Sequence, residues 1–154
     1  MKKMADLICR YFDEHGVQYQ RVSDDRVRAG FQLTHSTYMV HLHADEQNGR
    51  VVLAATIASP VPAGRRAAMA EYFARGNFQL AVGSLNLDMS DGQVVFRIRV
   101  IVADGELTDG MIHDALELAL TTIDTYYPSM MEIIHAVASP ADAMPEAKGS
   151  PLVL

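Results

Sequence analysis

Two histidines and an aspartate at alternate positions, His41, His43 and Asp45, are the sharpest candidates for chemistry in this chain. In an extended strand they share one face, and imidazoles with a carboxylate at that spacing could hold a zinc ion. The neighbouring strand argues otherwise. Pairing Leu33 with Tyr38 sets Arg28 across from His43 and Arg26 across from Asp45, so one guanidinium repels a cation and the other takes the carboxylate. Ordinary surface histidines are the better reading, and no metal is expected. Cys9 is the only cysteine. It lies beside the apolar stripe of a helix with no base placed to ionise it, which fits a small half-buried hydrophobe better than a nucleophile. Asp88 with Asp91, and Asp114 with Glu117, could be imagined as acid and base, but turns and a solvated helix face account for both pairs. The chain has no phosphate loop, dinucleotide fingerprint, Gly-x-Ser-x-Gly elbow or Cys-x-x-Cys. The expectation is a protein that is not an enzyme and carries no cofactor.

The elements that position these residues follow from periodicity. Met4, Leu7, Ile8, Tyr11 and Phe12 recur at helical spacing, and Gly16 suits the left-handed turn that ends a helix. From Arg26 the period becomes two. Val27, Ala29, Phe31 and Leu33 share one face, and Tyr38, Val40, Leu42 and Ala44 repeat the pattern in a second strand. Asn48-Gly49 predicts a two-residue hairpin turn into a third strand, with Leu53 opposite Ala44. Gly64 to Gln79 reads as a helix. Leu85, Leu87 and Met89 form a fourth strand, and Asp91-Gly92 turns it into a fifth, Val94 to Val102, with Asn86 across from Arg97. Thr108 or Asp109 caps a final helix carrying Ile112, Leu116, Ala119, Ile123 and Tyr126, which Pro128 is expected to kink or interrupt.

The order α-β-β-β-α-β-β-α predicts an α+β domain: one twisted antiparallel five-stranded sheet with the helices packed on one face. A chain of 154 residues, 49% hydrophobic and 21% charged, suits a single folded domain over residues 1–138, followed by a short turn and a flexible C-terminal tail over 139–154. The net charge of −6 repels a phosphate backbone, so nucleic acid is not the expected partner. Asp6, Arg10, Asp13 and Glu14 interrupt any N-terminal apolar run, and no stretch reaches the roughly 18 apolar residues of a membrane span, so a cytoplasmic protein is expected. The lone cysteine agrees with a reducing compartment.

Apolar surface stands out more than chemistry does. Residues 64 to 79 are apolar around most of the circumference, more than one sheet face can hide. Met69, Tyr72, Phe73 and Phe78 on that helix, with Tyr126, Tyr127 and Met130 on the last, are the expected partner or dimer interface, the alternative being that the last helix folds over the second and finishes the core within one chain. The outer sheet face mixes Met39, Val52, Ala54, Val95 and Ile101 with Arg28, Arg97 and Arg99. A protein-binding regulatory or chaperone-like homodimer is the reading these features support. The alternative is a small-ligand sensor with an apolar pocket between sheet and helices, lined by Phe31, Tyr38, Phe96 and Tyr126.

The element order, the run Leu85-Asn86-Leu87-Asp88 to Asp91-Gly92 and Val95-Phe96-Arg97, and Asp124 with Tyr126-Tyr127-Pro128 followed by Ser139-Pro140-Ala141-Asp142-Ala143, together resemble the YbjN family. The resemblance covers roughly residues 4 to 144. It implies the fold of type III secretion chaperones, a one-layer sheet with helices, dimerisation, and a sensory or regulatory role without an active site.

Overall fold

The computed structural model describes residues 2–145; the rest of the expected C-terminal tail lies outside the described residues. Helix α1, Met4–Glu14, buries every member of its predicted stripe. It closes as foreseen at Gly16, whose φ is +66°, with Val17 N–H donating to Phe12 O at 2.9 Å and Gly16 N–H to Asp13 O at 3.3 Å. That double closure is the glycine-dependent helix stop.

Six strands build one antiparallel sheet: β1 Gln20–Arg21, β2 Arg26–Gln32, β3 Thr37–Asp45, β4 Arg50–Thr56, β5 Ser84–Leu87 and β6 Val94–Ile101. Their order is β1-β2-β3-β4-β6-β5. The fold is the predicted α+β class with one strand more than foreseen, because a two-residue β1 has no periodicity to read.

All three expected hairpin registers are shifted by two residues. Tyr38 pairs with Phe31, not Leu33, because Leu33 N–H turns back to Ser36 O. Leu53 pairs with Leu42 rather than Ala44, and Asp45 with Arg50, so the loop holds four residues. In that loop Gly49 has a positive φ and Asn48 does not; the side chain of Asn48 is tied to Asp45 instead. Asn86 pairs with Val95, and Ser84 takes the place across from Arg97. A shift of two leaves every residue on its predicted face, so the hydrophobic pattern could not reveal it. Gly92 in the last turn has φ +81°, and a Cβ there would sit 2.1 Å from Val61 O.

After a short 3-10 turn at Ala63–Arg65, helix α2 spans Arg66–Gln79, and α3 spans Asp109–Ile134. Thr108 caps α3 by accepting Met111 N–H. Pro128 does not interrupt the helix. Its ring removes one backbone donor, yet Tyr126, Met130 and Ile133 are buried on both sides of it, and that packing holds the segment helical. The three helices pack on the face formed by Val27, Val40, Leu42, Leu53, Phe96 and Ile98, with α2 against β5 and α3. Beyond α3, Ser139 begins the expected short turn by accepting from Ala143 N–H and Asp142 N–H, and Ala143 is buried.

The doubly apolar α2 is not what the structure contains. Its buried residues, Met69, Tyr72, Phe73 and Gly76, form one stripe covered by the same chain. The remaining apolar positions are mostly alanines, Ala67 and Ala74 among them, whose small side chains stay in water at little cost.

Candidate functional site

Helices cover only one side of the sheet, and the strand register assembles the other. Arg28, His41, Ala54 and Arg97 stand side by side across β2, β3, β4 and β6. One step along the strands, Arg26, His43, Val52 and Arg99 repeat the same sequence of types. Neighbouring strands lie about 4.8 Å apart, so the two arginine walls are separated by roughly 14 Å at their Cα atoms. Between them is a trough whose floor pairs the imidazoles of His41 and His43 with the small apolar side chains of Ala54 and Val52. Val22, Arg26, Arg28, His41, His43, Val52, Ala54 and Arg97 enclose a groove of about 400 Å³. Met39, 40% exposed, and Ile101, 65% exposed, extend the apolar surface at its two ends.

Among the described residues, none of Arg26, Arg28, Arg97 and Arg99 has a carboxylate within 4.0 Å. Arg28 is held by Gln20 Oε1 at 2.7 Å. Two nearby carboxylates are engaged elsewhere. Asp25 meets His43 Nε2 at 3.1 Å, and Asp45 takes Arg50 Nε at 3.0 Å together with Asn48. The expected Arg26–Asp45 pair is thus replaced by Arg50–Asp45, a consequence of the two-residue shift. Burial, then the charges of Arg28 and Arg26, lowers the pKa of His41, which favours the neutral ring. Hydrogen bonds from Ser23 and His43 hold Asp25 below the usual carboxylate range.

The other chemical candidates are occupied by structural tasks. Cys9 is buried on α1. Asp88 accepts Ser90 N–H and Oγ–H, and Asp91 accepts Gln93 N–H, so both cap the turn. Glu117 meets His113 at 3.0 Å on the exposed side of α3. Among the described residues no three His, Cys, Asp or Glu side chains converge as metal ligands.

Of the residues expected at an interface, Met69, Tyr72, Phe73, Tyr126 and Met130 lie inside the protomer. Tyr127 is half-buried, edge-on to Tyr38, and Phe78 is 86% exposed beside Ala74, Ala141 and Met144. Of the four α2 candidates, only Phe78 is on the surface of the folded protomer. Of the rings expected to line a ligand pocket, Tyr38 and Phe96 are fully buried, Tyr126 nearly so, and Phe31 is half-buried against the same core, so they pack with one another between sheet and helices.

One anchor escaped the sequence reading. Asp124 accepts the Tyr38 hydroxyl at 2.6 Å and His35 N–H at 3.0 Å, tying α3 to the β2–β3 loop. Burial and then Asp124 push the Tyr38 hydroxyl well above the phenol range, so it stays a donor.

The sequence model of the YbjN family, described as "Putative bacterial sensory transduction regulator", matches residues 4–132. No curated protein matches the chain. Among solved structures, the crystal structure of YbjN, described as a putative transcription regulator from E. coli, is similar with a TM-score of 0.59 at 15% identity. The match covers 86% of this chain and 90% of that one. The HopA1–SchA chaperone–effector complex contains a chain similar at a TM-score of 0.51 and 14% identity, covering 80% of this chain and 96% of that one. At these identities the likeness is one of fold. No helix among the described residues is long and apolar enough to cross a membrane.

Proposed function

The chain belongs to the YbjN family, and from that premise we propose that it is a non-enzymatic protein-binding module of the regulatory or chaperone-like kind, cytoplasmic and homodimeric. The observation that carries this reading is the sheet face left without helices. Antiparallel sheets commonly turn one face to water, but that face is then polar at alternate positions. Here Met39, Val52, Ala54, Val95 and Ile101 occupy it beside the arginines. The 37 residues of the six strands, at about 3.3 Å each along strands about 4.8 Å apart, make a flat footprint of roughly 600 Å². Side-chain relief brings this near the roughly 800 Å² per partner that a specific interface buries. The description of the family as a regulator, and a fold neighbour solved within a chaperone–effector complex, agree with a binding role. Self-association is proposed separately, through Phe78 at the exposed end of α2.

The test is affinity capture of the full chain from its source cell, with identification of what is bound. A defined protein is expected at near-stoichiometric yield with the wild type and is expected to be lost with Val52→Asp/Ala54→Asp, once circular dichroism shows that variant folded. Recovery of no stoichiometric protein would overturn the reading, and so would undiminished recovery by the folded double variant.

A further inference from the structure

Resting on the protein-binding reading above, we infer that the trough on the open sheet face receives an acidic segment of a partner protein, whose carboxylates flank a narrow strip of small apolar side chains. Arginine, histidine, a small aliphatic residue and arginine recur in the same order at adjacent levels, so the cationic walls run parallel to β3 and β4 on both sides of Ala54 and Val52. Asp25 lies at His43 in the second row, but none of the four arginines meets a carboxylate within 4.0 Å, and a partner that brings carboxylates to both walls relieves the repulsion among them. Arginine forks bind carboxylates through two parallel hydrogen bonds, which gives such a contact direction as well as charge.

The geometry sets the width of the occupant. Walls roughly 14 Å apart at Cα admit one helix, about 10 Å across, or one extended strand with its side chains spread. They do not admit a second layer of structure. The β4 half of the floor selects for apolar contact, because Val52 and Ala54 offer no hydrogen-bonding groups and are half-buried already, while His41 and His43 make the β3 half.

A nucleic acid fits these observations less well. The two rows carry no Phe, Tyr or Trp on which bases could stack, and of their only rings, His41 and His43, the second is held by Asp25. Beyond the trough, the chain's charge of −6 opposes a polyanion that extends past it, whereas a short acidic segment ends where the arginines end.

Fluorescence polarisation with a labelled synthetic peptide, glutamates flanking a strip of leucine and alanine, tests the inference against a lysine-for-glutamate peptide and a labelled single-stranded oligonucleotide. The wild type is expected to bind the glutamate peptide, more weakly as salt rises. Arg28→Glu/Arg97→Glu, whose side chains face solvent, should weaken that binding at least tenfold, while Arg75→Glu on α2 leaves it unchanged. If the charge reversal unfolds the chain, Arg26→Gln/Arg99→Gln takes its place with the same expected loss. Equal binding of the lysine peptide, tighter binding of the oligonucleotide, no binding of the glutamate peptide, or an unaffected folded double variant would each overturn the inference. A captured native partner that stays on the Arg28→Glu/Arg97→Glu protein overturns the acidic-segment inference and leaves protein binding standing. Failure to capture any partner removes the broader reading instead.

Discussion

Asp124 illustrates how one side chain joins elements that the sequence keeps far apart. Its carboxylate takes both the buried Tyr38 hydroxyl and the His35 amide, 86 and 89 residues away. Removing an acceptor strands a buried donor, which costs about 1–3 kcal/mol, more than the net worth of the bond. Asp124→Ala is therefore expected to lower stability by about 2 kcal/mol in urea unfolding, and Tyr38→Phe by about 1 kcal/mol. In the double variant the two losses should not add, since the orphaned hydroxyl is gone; full additivity would show that the contact is not a coupled pair. Asp124 is visible in the sequence as a polar residue near the Tyr-Tyr-Pro element, but nothing in its spacing points to Tyr38. The carboxylates Asp88 and Asp91 were legible as turn residues because capping is local. Ion pairs across strands were not, since a register error of two exchanges every partner while sparing the hydrophobic pattern.

Helix α2 carries the main lesson at the scale of elements. Counting apolar residues overstated its greasy circumference, because alanine contributes little area to bury, whereas the large apolar residues Met69, Tyr72 and Phe73 lie on one buried stripe that Gly76 continues, close against Tyr126. The two phenylalanines of α2 consequently predict opposite outcomes. Phe73 is buried, so Phe73→Asp places an unpaired carboxylate in the core, costs several kcal/mol and is expected to abolish cooperative thermal unfolding. Phe78→Asp sits in water and should leave the melting temperature nearly unchanged while shifting sedimentation velocity from dimer to monomer. A folded Phe78→Asp protein that sediments as the wild type does would dismiss self-association through α2. Element boundaries were otherwise well marked in the sequence: Gly16 and Thr108 end and begin helices through backbone chemistry that single residues report. At Pro128 the interruption that a local helix breaker suggests does not occur, because it is outweighed by packing that only the folded molecule supplies.

For the whole molecule, the order of strands decides what the open face can do. Alternation places Arg26, Arg28, Arg97 and Arg99 on the outward side from sequence alone. Only the insertion of β6 between β4 and β5 sets the two pairs across one trough. Strand order is a long-range property with no local signal, which is why the fold class was legible and the site was not. The claim on which the account rests is that a protein partner covers this face. Methionine oxidation footprinting reads it directly, since Met39 lies at one end of the trough and Met89 lies in the β5–β6 turn, and both are exposed in the free chain. In the complex captured from the source cell, oxidation of Met39 should slow severalfold while Met89 reacts at its free rate. Oxidation of Met39 at the same rate with and without the bound partner would contradict the account.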